Sequence, residues 1–311
     1  MKCFAPPGEM NVFEALALEN CLLNTTPDAE ALLFCWIGEP AVVMGKNQNP
    51  WRECNLELLQ AERLKLARRV SGGGAVYHDP GNLNIAWILP REGYRPETMH
   101  DLLIRALARL DIQAVKGAGG SVRVAERKIS GSAFCYRREK VLHHGTLLLN
   151  ADLDLLRSAL SPRQLNMQTH AVPSVPAPVV NLTDLDPGLN REKILEALLQ
   201  EGEACFGRAD QMGFAQLPET WEAEKSQFAA PAWIWDQTPG FASQLTVPDG
   251  RNFIFRVRKG RIVEAEVGGE RLEIRNFPRF PDGDFGEIEE GVGIDPGILA
   301  DLLSQAGWVR F

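Results

Sequence analysis

The most distinctive run of the chain is Arg68-Arg69-Val70-Ser71-Gly72-Gly73-Gly74-Ala75-Val76-Tyr77-His78-Asp79-Pro80-Gly81-Asn82. Its three consecutive glycines can adopt positive φ angles, and they let the backbone approach a ligand closely because no Cβ stands in the way. The two preceding arginines carry planar guanidinium groups that match two oxygens of a phosphate or carboxylate. The run therefore indicates either an anion-binding loop or a glycine-rich turn between two strands.

The glycine stretch differs from the common phosphate-binding motifs. A Walker A loop ends in Gly-Lys-Ser/Thr, and no such tripeptide follows these glycines. Gly45-Lys46 is followed by Asn47 and lacks the upstream glycine, so it is not a P-loop either. The GxGxxG fingerprint and the GxSxG nucleophile elbow are both absent. The sequence therefore does not predict a P-loop NTPase, a Rossmann dinucleotide site or an α/β-hydrolase.

A second candidate for chemistry is the lysine in Glu126-Arg127-Lys128-Ile129-Ser130-Gly131-Ser132-Ala133, where it precedes a run of small residues. An ammonium group there could neutralise a carboxylate and a phosphate that react with each other. The same pattern is also typical of a surface lysine at the start of a strand. This segment alone does not distinguish between the two interpretations.

The third candidate is His143-His144-Gly145-Thr146, directly before an apolar run. A metal site is not predicted, because neither HExxH nor a paired Cys/His spacing accompanies these histidines. Histidines at the mouth of a strand more often donate hydrogen bonds. We therefore expect a hydrogen-bonding role for this segment and no metal ligands.

The periodicity of apolar residues predicts a mixed α/β chain. Helices are expected at 11–24, with one wide buried face, and at 56–66, 96–110, 151–160, 191–206 and 296–305. Strands are expected at 31–37 and 41–45, joined as a hairpin by Gly38-Glu39-Pro40, and at 83–89, 122–124, 131–136, 145–150, 252–257, 261–267 and 271–274. Loops are expected at 46–51, 117–121 and 161–187. The proline-rich segment 161–187 is either an ordered loop over a site or a mobile lid.

Length and composition predict two domains in a cytoplasmic protein. The chain has 311 residues, and its aromatic, proline-bearing segment 231–241 separates a region 1–241 from a smaller region 242–311. No signal peptide or membrane-spanning run is apparent. The formal net charge of −8 argues against a nucleic-acid partner. Six scattered cysteines indicate reduced core residues rather than disulfides.

Basic residues nevertheless cluster in two segments. If these clusters share a face, they form a positive patch suited to an anionic ligand or an acidic partner. If they do not, they are solvated ends of elements. Their members are Arg63, Lys65, Arg68, Arg69, Arg123, Arg127, Lys128, Arg137, Arg138 and Lys140.

The motifs occur together and in a fixed order, and in that combination the chain resembles the lipoate-protein ligase family, in the superfamily of biotin ligases and octanoyltransferases. The matching segments are 42–51, 53–55, 68–82, 128–133, 143–150, 180–183 and 233–241. The resemblance implies an α/β (α+β) fold. It also implies a catalytic domain (1–241) on mixed or antiparallel sheets and a small C-terminal α+β accessory domain (242–311). A biotin ligase is disfavoured because its basic GRGRxGR-type loop is absent.

The resemblance also implies an activity. Lipoate and ATP, with Mg²⁺, would give lipoyl-adenylate and pyrophosphate. The acyl group would then pass to a lysine of a lipoyl-domain acceptor, either a 2-oxoacid dehydrogenase E2 or a glycine-cleavage H-type protein. By the same resemblance Lys128 is the catalytic residue, and ATP is held by Arg69, Gly74, Ala75, Val76, Tyr77 and Lys128. Lipoate and its adenylate are held by Ser71, Gly73, His78, Asn82, Lys128, His144, Gly145 and Thr146.

One departure from the family pattern leaves alternatives open. Where the family commonly has Arg-Asn-Asp, this chain has Gly119-Gly120-Ser121. That change removes a charge expected near the site and affects the handling of metal or pyrophosphate. One alternative is an octanoyl or lipoyl acyltransferase that uses Cys135 or Cys54 as a nucleophile. The other is a lipoyl-binding paralogue that has lost adenylation.

Overall fold

The structure, a computed structural model, describes residues 1–272 and 296–306. Its helices are α1 (Val12–Thr25), α2 (Pro50–Glu53), α3 (Leu56–Ala61), α4 (Pro96–Ala108), α5 (Leu153–Ala159), α6 (Arg191–Phe206), α7 (Trp221–Ala229), α8 (Pro231–Ile234) and α9 (Pro296–Gln305). Its strands are β1 (Lys2–Phe4), β2 (Glu9–Met10), β3 (Leu32–Gly38), β4 (Ala41–Met44), β5 (Lys65–Arg68), β6 (Val76–His78), β7 (Asn82–Pro90), β8 (Val115–Lys116), β9 (Ser121–Val124), β10 (Arg127–Arg137), β11 (Lys140–Leu148), β12 (Asn166–Thr169), β13 (Asp210–Gln211), β14 (Phe241–Thr246), β15 (Asn252–Arg258), β16 (Arg261–Val267) and β17 (Glu270–Arg271).

A nine-stranded sheet forms the centre of the protein. Its strands follow the order β13-β1-β3-β7-β11-β10-β9-β8, and β2 also pairs with β3. Strand β7 is buried from Asn82 to Leu89, as expected for a strand that is covered on both faces of its sheet. Helices α4 and α6 cover one face of the sheet through residues such as Leu102 and Leu198. Helix α1 covers the other face through Leu18 and Leu22.

Helix α1 lies between two sheets rather than on one. Asn11 caps its first turn by accepting a hydrogen bond from the backbone N–H of Phe13. Leu18 packs toward the nine-stranded sheet, whereas Val12 and Leu16 pack against Val43 and neighbouring residues. The prediction of a single buried face was therefore wrong, because sheets flank this helix on two sides. The site described below opens beside it.

The predicted hairpin of 31–37 and 41–45 was also wrong, although both strands exist. Strand β3 pairs with β1 and β2 at one edge and with β7 at the other, so neither edge is free for β4. Strand β4 instead pairs with β5 in parallel and with β6 antiparallel, in a separate three-stranded sheet. The turn at residues 38–40 thus transfers the chain from one sheet to the other.

The helix predicted at 56–66 ends early. Helix α3 stops at Ala61, and Lys65–Arg68 forms β5 beside β4. Leu64 and Leu66 are buried in the same apolar cluster as α3, which explains why the apolar spacing continues past the end of the helix. Strand β5 leads directly into the glycine stretch, so its pairing with β4 fixes where that stretch begins.

The third sheet has the order β12-β14-β15-β16-β17. The turn predicted at Lys259-Gly260 joins β15 to β16, and both residues have positive φ. Strand β12 comes from the proline-rich segment 161–187 and pairs with β14. The division of the chain between residues 241 and 242 stays a prediction. The last part of the predicted strand at 271–274 lies outside the described residues.

The proline-rich segment is anchored at several points. Val172 donates its backbone N–H to the Asn47 carbonyl, and the backbone of Lys128 bonds to Pro178 and Val180. Of the two alternatives, the ordered loop over a site agrees with these contacts. The mixed α/β class and the mixed and antiparallel sheets agree with the prediction. No helix within the described ranges is long and apolar enough to cross a membrane.

Candidate active site

A cavity of about 400 Å³ lies between α1, the three-stranded sheet and strands β10 and β11. Its inner end is formed by buried residues that include Glu19, Trp36 and His78, and its outer end by partly or fully exposed ones that include Gly119, Arg123 and Val175. Its size falls within the usual range of small-molecule sites. The full lining is Leu16, Glu19, Trp36, Val43, Arg69, Gly73, Gly74, Ala75, Val76, His78, Asn84, Ala118, Gly119, Ser121, Arg123, Lys128, Gly131, Ser132, Ala133, His144, Gly145, Thr146, Val172, Pro173, Ser174, Val175 and Ala177.

The glycine stretch forms one wall of the cavity, and Arg69 fixes its shape. The Arg69 guanidinium donates to the carbonyl oxygens of Gly72, Gly74 and Val43 and to the Ser71 hydroxyl, at 2.6–3.0 Å. Burial lowers the Arg69 pKa to about 10, so the group remains charged at neutral pH. Arg69 therefore organises the loop and also places a positive charge in the wall.

The loop requires glycine at specific positions because it packs closely against its neighbours. Gly73 has a φ of +84°, a conformation that favours glycine. A Cβ on Gly45 would lie 2.2 Å from the Gly73 carbonyl oxygen. On the outer side, the Ser174 hydroxyl accepts hydrogen bonds from the Ala75 backbone N–H and from the Gln48 amide. The proline-rich segment therefore holds the glycine loop on its outer side through Ser174.

Lys128 enters the cavity from the start of β10. Lys128 is half-buried, and no hydrogen bond or ion pair of its ammonium group occurs within the described residues. Burial is the main cause of its lowered pKa, and the nearby charges of Arg123 and Arg69 lower this pKa further. Three cations thus converge on one cavity. An anionic ligand would relieve both the burial and the mutual repulsion.

Two glycines make room for Lys128. A Cβ on Gly131 would lie 2.7 Å from the Lys128 Nζ, and a Cβ on Gly145 would lie 2.7 Å from the Gly131 carbonyl oxygen. Strands β10 and β11 pair at this point, with Gly131 opposite Thr146. The small residues noted after Lys128 in the sequence therefore accommodate its side chain and the close strand pairing.

The inner end contains a chain of hydrogen bonds. Glu19 accepts from the indole N–H of Trp36 at 3.1 Å and from His144 Nδ1 at 2.6 Å. His144 Nε2 lies 2.6 Å from the Ser71 hydroxyl, which in turn accepts from Arg69 Nε. Because a carboxylate accepts the bond at Nδ1, the His144 proton is assigned to Nδ1, and Nε2 accepts from Ser71. Both carboxylate oxygens of Glu19 are therefore occupied.

The histidine pair at 143–144 points to opposite faces of β11. His144 faces the cavity, whereas His143 Nδ1 lies 2.7 Å from the Tyr94 hydroxyl behind the sheet. Two neighbouring strand residues cannot share a ligand on one face, because side chains alternate. In the part of the chain that the structure describes, no cluster of three His, Cys, Asp or Glu residues could hold a metal ion.

The structure brings most of the predicted site residues together. Those that line the cavity are Arg69, Gly73, Gly74, Ala75, Val76, His78, Lys128, His144, Gly145 and Thr146. Ser71 contacts the cavity residue His144. Tyr77 is buried in the apolar cluster that includes Val42 and Met44, on the opposite side of β6. Asn82 is buried and donates to Asn84, which lines the cavity in its place.

Sequence reasoning did not identify the residues that α1, β3 and β4 contribute. They are Leu16, Glu19, Trp36 and Val43. Glu19 carried a usable signal, because it lies three residues from both Leu16 and Leu22 on an apolar side of the helix, and a buried carboxylate needs hydrogen-bond partners. The others belong to apolar runs and could not be distinguished from core residues. Their position in the site follows from the split between two sheets, which the hairpin prediction missed.

The basic clusters do not form one surface. Arg68, Arg69 and Lys140 are buried, whereas Arg137 and Arg138 are exposed at the turn between β10 and β11. The latter pair lies about nine strand residues from Lys128, which corresponds to roughly 30 Å. The charge that converges does so inside the cavity rather than on a surface patch.

Arg68 differs from its neighbour Arg69 in function as well as position. It is completely buried and donates to the carbonyl oxygens of Gly45, Lys46, Gln48 and Ile234 and to the Thr238 hydroxyl. Burial lowers its pKa to about 10. These bonds tie the segment around Ile234 to the loop that carries Gln48. Arg68 therefore supports the site without lining the cavity.

Known proteins resemble this chain in sequence. The family described as lipoyl protein ligase A/B catalytic domain matches residues 11–203. A lipoate-protein ligase A of Bdellovibrio bacteriovorus is 33% identical over 265 residues, which cover 81% of this chain and 78% of the relative. The match with the family spans the glycine stretch, Lys128 and the His144 segment.

Solved structures share the fold. LipL1 of P. falciparum in complex with lipoate has a TM-score of 0.68 and 24% identity, covering 86% of this chain and 84% of its own. A lipoate-protein ligase A bound with ATP has a TM-score of 0.61 and 22% identity, covering 75% of this chain and 96% of its own. A bipartite ligase from Thermoplasma acidophilum, described with its E2 lipoyl domain, has a TM-score of 0.62 and 23% identity. The match covers 75% of this chain and 95% of that chain.

These matches confirm the family and the fold class that the motifs predicted. They also confirm that the protein is an enzyme of the lipoate-protein ligase class. The chain belongs to the lipoyl protein ligase A/B catalytic domain family.

Proposed function

We propose that the protein is an ATP-dependent lipoate-protein ligase that uses this cavity for both steps of its reaction. The observation that carries the proposal is the convergence of Lys128, Arg123 and Arg69 at a cavity whose inner end is buried. Such a cavity suits a substrate with an anionic head and an apolar tail. Lipoate combined with a nucleotide has this form.

In the first step, an oxygen of the lipoate carboxylate attacks the α-phosphorus of ATP. A bond forms between these atoms, the bond to the β-phosphate oxygen breaks, and pyrophosphate leaves. Lys128 would lie between the carboxylate and the α-phosphate, where its ammonium group stabilises negative charge in the transition state. The backbone of residues 73–77 would hold the nucleotide. Arg69 would keep that backbone in place through its four hydrogen bonds.

The inner end would receive the lipoyl chain. Leu16, Val43 and the ring of Trp36 provide apolar surface there, and Glu19 and His144 are already bonded to protein groups. A neutral acyl tail can therefore enter without leaving a protein charge unpaired. His78 is also compatible, because burial lowers its pKa to about 3 and keeps it neutral.

In the second step, an acceptor lysine attacks the carbonyl carbon of the adenylate. An amide bond forms, the bond between that carbon and the phosphate oxygen breaks, AMP leaves, and the amine loses a proton. We propose lipoyl domains as acceptors, either of a 2-oxoacid dehydrogenase E2 or of a glycine-cleavage H-type protein. We also place the reaction in the cytoplasm, with residues 1–241 as catalytic domain and 242–311 as accessory domain.

The cysteine-dependent acyltransferase receives no support from the cavity. Neither Cys54 nor Cys135 lines it, and Cys54 is buried in an apolar cluster, where burial raises the pKa of its thiol. A thiol nucleophile needs to reach the substrate and to ionise. Both conditions disfavour Cys54, and the first disfavours Cys135.

The test is lipoate-dependent exchange of pyrophosphate into ATP, with octanoate and biotin in parallel. We expect exchange with lipoate, and a loss of about 10²- to 10³-fold in Lys128→Ala, as for removal of one transition-state donor. Arg127→Ala is the matched control, because Arg127 is adjacent and exposed. If the intact protein shows no exchange, the ligase proposal is wrong and the alternative of a lipoyl-binding paralogue without adenylation activity is favoured. Equal loss in both variants would contradict the role of Lys128.

A further inference from the structure

The outer end of the cavity lacks the groups that hold a divalent metal. Among the described lining residues the one acidic side chain is Glu19, which lies at the inner end and is fully bonded. Near the outer end, Gly119-Gly120-Ser121 stands where the family commonly has Arg-Asn-Asp, and the Ser121 hydroxyl donates to the Ala118 carbonyl. Mg²⁺ prefers carboxylate oxygens together with substrate phosphates. The residues present do not fit a protein-bound Mg²⁺.

Arg123 occupies this region instead. Its side chain lies against Gly117, since a Cβ there would be 2.7 Å from Arg123 Nε and 2.9 Å from its Cδ. One guanidinium nitrogen donates to the Glu126 carbonyl at 3.0 Å, which fixes the direction of the side chain. No carboxylate pairs with Arg123 within residues 1–272 or 296–306. Arg123 and Lys128 lie opposite each other in the pairing of β9 with β10, and after burial the charge of Arg123 is the next cause of the lowered pKa of Lys128.

We propose that Arg123, together with Lys128, binds the pyrophosphate leaving group directly and takes the place of a protein-held metal in this chain. The proposal rests on the adenylation step proposed above. When the carboxylate oxygen bonds to the α-phosphorus, the electron pair of the broken bond stays on the β-phosphate oxygen. A guanidinium can donate two parallel hydrogen bonds to such oxygens, which an ammonium cannot. Arg123 thereby becomes a further catalytic residue.

The first test measures binding. Inorganic pyrophosphate is titrated into the full-length protein by calorimetry, in EDTA without Mg²⁺. We expect binding by the wild type and a dissociation constant at least about tenfold higher in Arg123→Gln, because charged hydrogen bonds to the anion are lost. The control Arg127→Gln removes an exposed charge four residues further along the chain and should leave the constant unchanged. Wild-type binding only with Mg²⁺, or equal constants in both variants, would overturn the proposal.

The second test separates the two reaction steps. Arg123→Gln should slow lipoate-dependent pyrophosphate exchange by about 100-fold, comparable to loss of one charge-stabilising donor. It should leave transfer from preformed lipoyl-adenylate to a lipoyl domain within about twofold, because no pyrophosphate takes part in that step. Equal loss in both steps would reduce Arg123 to a structural role.

Failure of the proposed function gives a different pattern. If the wild type binds pyrophosphate without metal but shows no lipoate-dependent exchange, the ligase proposal fails and the anion site stands. If exchange occurs and responds equally to Arg123→Gln and Arg127→Gln, the ligase proposal stands and the role of Arg123 fails.

Discussion

The inner and outer ends of the cavity use polar groups in opposite ways. At the inner end, Glu19 and His144 are bonded to each other, and further bonds to Trp36 and Ser71 complete the chain. At the outer end, Lys128 and Arg123 carry charge without an acidic partner in the described residues. Both ends belong to one continuous cavity. They differ in whether the protein or a ligand satisfies the polar groups.

This difference assigns a task to each end. A buried group that is fully bonded within the protein stabilises the shape of the cavity and gains little from a charged ligand. Partly buried cations that lie near each other without an acidic partner repel each other, and an anion that binds beside them offsets this repulsion. We therefore propose that the outer end carries the chemistry and that the inner end positions a neutral chain.

Gly131→Ala provides the strongest test of the outer end. The added Cβ would lie 2.7 Å from Nζ and 2.8 Å from Cε of Lys128, so the flexible lysine must move while the strand stays in place. We expect lipoate-dependent exchange to fall by about 100-fold, since a displacement of about 1 Å can have this effect on a reacting group. Single-turnover rates of lipoyl-adenylate formation measure this loss.

Gly8→Ala is the control for this variant, because nothing lies within 4 Å of a Cβ at Gly8. The thermal midpoint of Gly131→Ala should stay close to that of the wild type, because the clash is with the end of a flexible side chain. An active Gly131→Ala enzyme would show that Lys128 tolerates displacement, and it would weaken the distinction between the two ends.

Two buried histidines are expected to make stability depend on pH: His78 at the inner end of the cavity and His143 behind the sheet. Burial, followed by the charge of Arg69, lowers the pKa of His78 to about 3; burial, followed by His100, does the same for His143. The folded state stays neutral at these rings while the unfolded chain takes up protons below pH 6.5. The unfolding free energy should therefore fall by about 1.6 kcal/mol per histidine between pH 6.5 and pH 5.

Urea unfolding at the two pH values measures this loss. His143→Gln should remove the contribution of one histidine without altering the cavity, because His143 lies behind the sheet. His170→Gln changes an exposed residue and should keep the full pH dependence. A pH dependence that is the same in His143→Gln as in the wild type would mean that His143 is charged in the folded state.

Glu19→Gln tests the bonded inner end. The amide retains one acceptor oxygen and places a donor against either Trp36 or His144, both of which donate to the carboxylate. We expect the KM for lipoate to rise about tenfold, in line with one unsatisfied buried group, and the KM for ATP to change by less than about twofold. Glu14→Gln, on the same helix but paired with Lys225 near the surface, is the control. Equal changes in both KM values would contradict separate tasks for the two ends.

The sequence was sufficient for the features that depend on local chemistry. The glycine stretch and Lys128 were identifiable because their residue types restrict what the backbone and the charge can do. Helix α6 and helix α9 follow the predicted limits, since their apolar spacing is regular. Each of these features is recognised from residues that lie close together in the sequence.

Features that depend on strand pairing were not accessible. Arg68 and Arg69 are adjacent and chemically identical, yet Arg68 bonds to Ile234, 166 positions away, and Arg69 bonds to the glycine loop. Val76 and His78 line the cavity while Tyr77 faces the core, because side chains alternate along β6. Which face of a short strand meets a ligand is decided by its sheet partners, and β4 is one of them.

Cys135→Ser carries the smallest expected effect, and it tests whether a thiol outside the cavity supplies a second kind of chemistry. Cys135 lies opposite Leu142 in the pairing of β10 with β11, packs against the core beneath α1 and does not line the cavity. ATP-dependent lipoyl transfer should therefore stay within about twofold of the wild type, as for a conservative change outside the site. Acyl transfer from an octanoyl-carrier thioester is measured in parallel without ATP. Transfer without ATP that Cys135→Ser abolishes would identify a thiol nucleophile, and the unpaired cations could then no longer be regarded as the centre of the chemistry.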